Sequence, residues 1–292
     1  MPLARPCRPR LFHRLLSACG VLLLTACSTL NSLNLYSDAE LEPLSVQAYD
    51  EATKETKGLV TSGKDFEMVQ RVAKKIAAVA EEEGFAWEAR LLKADDVPNA
   101  FCLPNGRIAV YTGILPLTQN ENGLAVVMGH EVAHAILRHG GKRMTSGMLT
   151  GGALQAVQAG LGLTQMSPEA KGGVMAVLGI GGQLGTLKFS RDHETEADVL
   201  GLRYAIRAGY DPNEAPKLWE RMAALGGSTP VWLSTHPAST DRAENLRRLI
   251  PQLQAEEANW RPKAAASGSG AGGTQGAPAK ASATPSQPAT KR

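Results

Sequence analysis

The segment His130-Glu131-Val132-Ala133-His134 constrains this chain more than any other part of its sequence. Successive residues of a helix advance by about 100°, so histidines four positions apart lie about 40° apart on one face. Both imidazoles can then reach one metal ion, and zinc suits such nitrogen ligands. Glu131 follows the first histidine and can take a proton from water that the metal acidifies. The segment therefore predicts a zinc peptidase helix; the alternative is a surface helix with two unrelated histidines.

Two histidines do not complete a zinc site, and the residues that follow them limit where a third ligand comes from. The metzincin pattern requires glycine at position 137 and histidine at position 140. This chain has Leu137 and Gly140 instead, so the metzincin pattern is absent. His139 lies about 180° from His130 on a continuous helix and is predicted to point away from the metal.

The acidic segment from Ser190 to Asp198 offers a better third ligand. Glu194 and Asp198 are four residues apart and share a helix face. Glu194 is the predicted ligand, because two histidines and a glutamate form the thermolysin-like set. Asp198 is predicted to accept the second N–H of a ligating histidine. Glu196, about 200° from Glu194, is the alternate ligand, and an acidic first turn that complements the helix dipole is the simpler explanation of the whole segment.

The chain between and around these segments predicts an α+β fold that is mainly α, with a small antiparallel sheet beside the active-site helix. Strands are expected over residues 85–92, 97–103 and 107–111, and the motif helix from Asn120 to His139, ending at Gly140-Gly141. Other helices are expected over about residues 37–56, 65–83, 148–161, 168–184, 190–208, 212–225 and 239–254. Residues 144–185 form either a buried helical hairpin or a partly apolar lid or docking surface.

The N-terminus has the pattern of a bacterial lipoprotein signal. A basic stretch with four arginines precedes an apolar run that is too short to span a bilayer. The run ends in Leu24-Thr25-Ala26-Cys27, which resembles a lipobox. Residues 1–26 are the predicted signal peptide, Cys27 the predicted lipidation site and 27–36 a linker. Multiple acyl chains give stable anchoring, and Ser28 after the cysteine favours the periplasmic face of the outer membrane.

Charge, cysteine content and the C-terminus set further limits. The formal net charge is +3, but four arginines lie in the signal, so the remaining chain is close to neutral and nothing favours nucleic-acid binding. Cys102 has no evident partner, so no intrachain disulfide is expected. Residues 263–292 lack large apolar side chains and are predicted to be a disordered tail. The metallopeptidase domain is then expected over residues 37–262.

Three motifs in this order resemble one known family. They are HEVAH at 130–134, SRDHETEAD at 190–198 and STHPASTDR at 234–242, preceded by the strand block NAFCLPNGRIAVYTG at 99–113. They are similar to the zinc metallopeptidases that include the CAAX prenyl protease, HtpX and the Oma-type peptidases. Within that family the chain looks closest to periplasmic lipoproteins such as LoiP and BepA. The resemblance covers about residues 37–253.

The resemblance implies a fold, a site and an activity. The fold would be a mostly helical gluzincin with a small sheet, binding one zinc ion per chain. The ligands would be His130, His134 and Glu194, and the general base Glu131. The histidine of the THP loop, His236, would close on the zinc as a fourth ligand and hold the enzyme latent, or would stabilise the oxyanion.

We therefore expect an endopeptidase of the bacterial cell envelope that cleaves extended or misfolded polypeptides, outer-membrane proteins among them. The strand residues Arg107, Ile108, Ala109, Val110 and Tyr111 are expected to pair with the substrate as an added strand. The rival hypothesis is a chaperone-like assembly factor with a latent or structural zinc site. Glu131 argues against this rival hypothesis, because a structural zinc site does not need a general base beside it.

Overall fold

A computed structural model describes residues 33–80, 84–149, 189–225, 231–236 and 241–262. The predicted signal peptide, Cys27, most of the 144–185 region and the predicted tail lie outside them. The described helices are α1 (Asp38–Lys54), α2 (Lys64–Ala80), α3 (Leu115–Thr118), α4 (Glu121–Ile136), α5 (His139–Leu149), α6 (Arg191–Arg207), α7 (Glu214–Ala223), α8 (Val231–Thr235) and α9 (Arg242–Glu257). The strands are β1 (Leu59–Val60), β2 (Glu88–Leu92), β3 (Ala100–Cys102) and β4 (Arg107–Tyr111). The prediction of a mainly helical α+β fold with a small sheet is confirmed.

The sheet is mixed, which corrects the prediction that it is antiparallel. Its strand order is β1-β2-β4-β3. The two outer pairings are antiparallel, but β2 and β4 run parallel in the centre. After β2 the chain crosses to the far edge, forms β3, and turns back through Asn105 and Gly106, both with positive φ. The β3–β4 hairpin is therefore antiparallel as predicted, and it places β4 beside β2 in the same direction.

This topology overturns the prediction that Arg107, Ile108, Ala109, Val110 and Tyr111 pair with substrate. These residues are β4, and both hydrogen-bonding edges of β4 are already used by β2 and β3. A substrate strand needs a free edge. In the described part of the sheet, the edge next to β4 belongs to β3.

Helix α4 is the central element of the core and carries the motif. Asn120 caps it by accepting a hydrogen bond from the backbone N–H of Gly123. The helix is buried from Gly123 to Ala135. It ends at Ile136 rather than His139, because Arg138 has a φ of 55° that interrupts the helix. The predicted stop at Gly140-Gly141 is wrong: both glycines lie inside α5.

Two glycines let α4 and α6 approach at backbone distance. A Cβ added to Gly129 would lie 2.6 Å from the carbonyl oxygen of Gly201, and a Cβ added to Gly201 would lie 2.7 Å from the backbone nitrogen of His130. Only glycine fits at either position. The contact brings the acidic face of α6 against the two histidines of α4.

The part of the chain that the structure describes contains no helix with the length and hydrophobicity of a membrane span.

Candidate metal centre

Four buried side chains from three segments converge on one point. His130 and His134 come from α4, Glu194 from α6 and His236 from the residue after α8. The Nε2 atoms of His130 and His134 are 3.0 Å apart. His236 Nδ1 is 3.3 Å from His130 Nε2 and 2.9 Å from Glu194 Oε1. Glu194 Oε1 is 3.3 Å from His134 Nε2.

The donor set fits zinc. Ligands about 2.0–2.1 Å from a tetrahedral zinc ion are about 3.3–3.4 Å from one another. The four donor atoms of this cluster all lie within 4.8 Å of one another, and several pairs are 2.9 to 3.3 Å apart. Three imidazoles and one carboxylate are also the ligand chemistry that zinc prefers. The cluster is therefore suited to hold one zinc ion, in the His-His-Glu arrangement of a gluzincin with His236 as a fourth donor.

The start of α6 decides which acidic residue reaches this cluster. Ser190 caps the helix by accepting from the backbone N–H of His193, and the following turn directs Glu194 inward, where it is 5% exposed. Glu196 is on the other side, with half its side chain exposed, and contacts His139. Glu194, and not Glu196, thus lies among the metal donors.

Asp198 and Arg242 hold the outer side of the cluster. Asp198 Oδ1 is 3.1 Å from His130 Nδ1, the ring nitrogen that faces away from the other donors. Arg242 donates from Nε and Nη2 to the two oxygens of Asp198 at 2.7 and 2.6 Å. It also donates to Glu194 Oε2 at 2.5 Å. Asp198 therefore lies where the sequence predicts it, and Arg242 is a further residue of the site.

His139 does not point away, which corrects the prediction made for a continuous helix. Because the chain breaks at Arg138, His139 turns back over α4. Its Nδ1 is 2.9 Å from Nδ1 of His134, and its Nε2 is 3.0 Å from Glu196 Oε2. His139 contacts His134 on the side away from the metal donors, so it can fix the orientation of that imidazole but does not join the cluster.

Glu131 lies beside the cluster, in contact with the segment that carries His236. Its Oε1 accepts a hydrogen bond from the indole Nε1 of Trp232 at 2.6 Å. Nε2 of His236 is 3.5 Å from the same oxygen. Glu131 is 3% exposed, so a carboxylate that can accept a proton is positioned next to the metal donors and away from bulk water.

Burial and neighbouring charges set the protonation of the donors. Burial lowers the pKa of His134 well below its ordinary value, which favours the neutral ring that a metal needs. Burial opposes ionisation of Glu194, but His236 and His134 outweigh it and hold the pKa of that carboxyl below its usual range. Burial likewise disfavours charge on His130, yet Asp198 and Glu194 raise its pKa overall. Metal binding therefore competes with protonation of His130.

A pocket opens from the cluster towards β3. Its lining includes Glu131, His134 and His236 together with residues 99–104. Cys102, the one cysteine among the described residues, lines it without a disulfide, and burial raises the pKa of its thiol. The pocket thus connects the metal donors with the edge strand of the sheet.

Comparison with known proteins agrees with this site. The model of peptidase family M48 matches residues 64–250. The chain is 39% identical over 189 residues to the mitochondrial metalloendopeptidase OMA1 of Schizosaccharomyces pombe, covering 64% of this chain and 53% of that protein. It is 33% identical over 158 residues to a putative beta-barrel assembly-enhancing protease of Vibrio cholerae, covering 53% of this chain and 33% of that protein.

The chain spans about half the length, or less, of these curated relatives. The family resemblance inferred from its motifs is confirmed, because the match covers all of α4, all of α6 and the residues between them. The chain belongs to peptidase family M48.

Proposed function

We propose that this chain is a zinc-dependent endopeptidase of the bacterial cell envelope that hydrolyses peptide bonds in extended or misfolded polypeptides, outer-membrane proteins among them. One observation carries the proposal: a set of donors suited to zinc lies beside Glu131, the carboxylate of a general base. Relatives named metalloendopeptidases and beta-barrel assembly-enhancing proteases support it.

The residues of the site have distinct roles in this proposal. His130, His134 and Glu194 would hold the zinc, which would polarise the scissile carbonyl and make a water molecule more acidic. Glu131 takes a proton from the attacking water and later gives it to the leaving amine. Asp198 and Arg242 keep His130 and Glu194 in place.

The substrate would bind along β3, which replaces β4 as the candidate substrate strand. In the antiparallel β3–β4 ladder, Asn99 and Leu103 exchange hydrogen bonds with β4. By the alternation of such ladders, the N–H and C=O groups of Ala100 and Cys102 face the outer edge. An extended peptide paired there gains affinity from backbone hydrogen bonds without a strong sequence preference, and the pocket leads from it to Glu131.

His236 would gate the site. Its Nδ1 lies 2.9 Å from the Glu194 donor and 3.3 Å from the His130 donor, and the residue is 3% exposed. A fourth protein ligand would occupy the position that water needs on the metal, so the resting enzyme would be latent until His236 moved away.

The same geometry favours a second candidate function, a chaperone-like assembly factor with a latent or structural zinc site. A closed four-donor cluster is typical of structural zinc sites. The position of Glu131 beside the cluster favours the peptidase instead.

The proposed cellular location rests on the sequence rather than on the fold. The lipobox-like segment ending at Cys27 supports a lipid anchor facing the periplasm. The two kinds of relative differ here: the assembly-enhancing proteases are bacterial, whereas the OMA1 proteins are named mitochondrial.

Metal removal and a single variant test the proposal. The purified chain is stripped with a chelator, reloaded with zinc and given one polypeptide in unfolded and folded form. We expect cleavage of the unfolded form alone, loss of cleavage on stripping and its return with one zinc per chain. His236→Ala should cleave faster than wild type at equal zinc content. Cleavage that persists without metal would rule out the peptidase mechanism, and a His236→Ala variant no faster than wild type would rule out gating.

A further inference from the structure

The indole of Trp232 makes a direct contact with Glu131. Trp232 Nε1 donates to Glu131 Oε1 at 2.6 Å, and the two residues are 1% and 3% exposed. An indole N–H is only a donor, so the bond needs Glu131 to present an accepting oxygen. A hydrogen bond to an ionised carboxylate is of the stronger, charge-assisted kind.

Contacts on several sides hold Trp232 in place independently of Glu131. Trp232 stacks on Trp219 at a ring-centroid distance of 5.1 Å and on His236 at 4.8 Å, and its edge meets His130 at 5.7 Å. Its backbone N–H donates to the carbonyl of Pro98, just before β3. These contacts fix the Trp232 side chain without the hydrogen bond to Glu131, so Glu131 is the more adjustable partner.

The stack leads back to the acidic side of the site. Trp219 carries the guanidinium of Arg242 over its ring, 3.6 Å from the centroid. Arg242 in turn donates to Glu194 and Asp198. This layer of side chains therefore contacts Glu194 at one end and Glu131 at the other. Packed rings oppose the displacement of either carboxylate.

Packing alone does not explain the indole nitrogen. A phenylalanine would fill most of the space between Trp219 and His236 with the same stacking face. What phenylalanine lacks is the donor to Oε1. With that oxygen engaged, Oε2 is the carboxylate oxygen without an indole bond, and rotation of the carboxylate would break the bond to Oε1.

We propose that Trp232 is a positioning residue for the reaction: its indole N–H fixes the Glu131 carboxylate so that one oxygen remains to take the proton. The inference rests on the proposed peptidase function. It assigns Trp232 no contact with substrate, because the side chain is buried beneath His130 and His236.

Trp232→Phe tests this, with Trp87→Phe as the control, since it replaces an indole that packs on the same core beside Phe85 and takes no part in the site. For Trp232→Phe we expect kcat to fall about 10- to 100-fold, the range typical of a displaced catalytic group. KM, zinc content and thermal midpoint should resemble those of Trp87→Phe. Equal kcat losses in the two variants, or no loss in Trp232→Phe, would overturn the proposal.

A second arm separates positioning from general damage. Glu131→Asp shortens the carboxylate by one methylene and withdraws it from the indole. Adding Trp232→Phe to Glu131→Asp should then lower kcat no further, because coupled residues are not additive. A full additional loss in the double variant would contradict the proposal. If zinc-loaded wild type cleaves nothing, the proposed function itself fails, and this inference fails with it.

Discussion

The orientation of the His130 imidazole depends on residues that are not themselves metal donors. Its outer nitrogen lies 3.1 Å from Asp198, and Asp198 is gripped by two donors of Arg242. Burial raises the pKa of Asp198, but the Arg242 charge and the His130 hydrogen bond outweigh burial and lower it overall. A carboxylate that stays ionised orients the imidazole and strengthens it as a ligand.

Replacing Asp198 with asparagine should therefore weaken zinc binding. The amide would keep the shape of the side chain but lose the charge that Arg242 and His130 face, and such outer contacts are worth about 10- to 100-fold in metal affinity. Zinc affinity measured by competition with a chromophoric chelator checks this. Asp192→Asn, an exposed position in the first turn of the same helix, should leave the affinity unchanged. Equal affinity in both variants would contradict the role given to Asp198.

The residues found from the sequence and those missed differ in how far apart they lie. His130, Glu131 and His134, or Glu194 and Asp198, are related by helical spacing within one segment, so local geometry brings them onto one face. Trp232 is 101 residues from Glu131, and Arg242 is 44 residues from Asp198. No spacing rule links such positions, and only the packing of four helices, α4, α6, α8 and α9, brings them together. The motif STHPASTDR contains Arg242, but its histidine alone resembles a metal ligand.

At the level of elements, the crossing of α4 and α6 determines whether the site forms. Gly129 and Gly201 meet at backbone distance. The ligands lie within about one and a half turns of the crossing on α4 and about two turns away on α6. A separation of the two helices would move Glu194 away from His130 and His134.

Gly201→Ala tests this close approach. Its Cβ would lie 2.7 Å from the backbone nitrogen of His130, and such overpacking destabilises by about 1–3 kcal/mol. We expect a lower free energy of unfolding and weaker zinc binding together. Gly140→Ala is the control, because its added Cβ meets nothing within 4 Å. A Gly201→Ala protein with wild-type stability and zinc affinity would mean that the helices need no glycine contact.

The edge of β3 gives a prediction about substrate. Cys102→Pro removes an N–H that faces the outer edge, a position where a strand tolerates proline. We expect KM for an extended peptide to rise about tenfold, in keeping with the loss of a backbone hydrogen bond to substrate, at unchanged zinc content. Cys102→Ala keeps the N–H and should retain the wild-type KM. If KM rises as much in Cys102→Ala as in Cys102→Pro, the thiol and not the backbone N–H is responsible.

The elements were predicted better than their arrangement. Strand positions follow from residue alternation and turn residues such as Asn105 and Gly106, which are local signals. The parallel pairing of β2 with β4 depends on which edge β3 occupies, and alternation carries no information about that. The break at Arg138 was missed because nothing in an arginine predicts a φ of 55°, whereas the glycine pair after it resembles a helix end.

The whole molecule combines a family domain with two end segments of different character. The family match at residues 64–250 lies inside the predicted domain at 37–262. The predicted signal at 1–26, the linker at 27–36 and the tail at 263–292 rest on composition, and nearly all of their residues lie outside the described ones. They stay predictions, and a lipid anchor at Cys27 would determine which substrates the site can meet.

Cys27→Ser tests the anchor in cells. Serine cannot take the thioether-linked lipid, so the variant should leave the membrane fraction and lose incorporation of labelled fatty acid. Cys19→Ser, within the apolar run of the same signal, should still be lipidated. Labelled fatty acid on the Cys27→Ser protein would show that Cys27 is not the lipidation site.

The most direct test of the central claim is the cleavage rate of Glu131→Gln at known zinc content. Glutamine keeps the size of the side chain but cannot accept the proton from water. The variant should bind one zinc per chain and cleave an unfolded polypeptide about a thousandfold more slowly than wild type, within the range that a general base contributes. Glu121→Gln, at the start of the same helix, should cleave at the wild-type rate. A zinc-loaded Glu131→Gln protein that cleaves as fast as wild type would contradict the account.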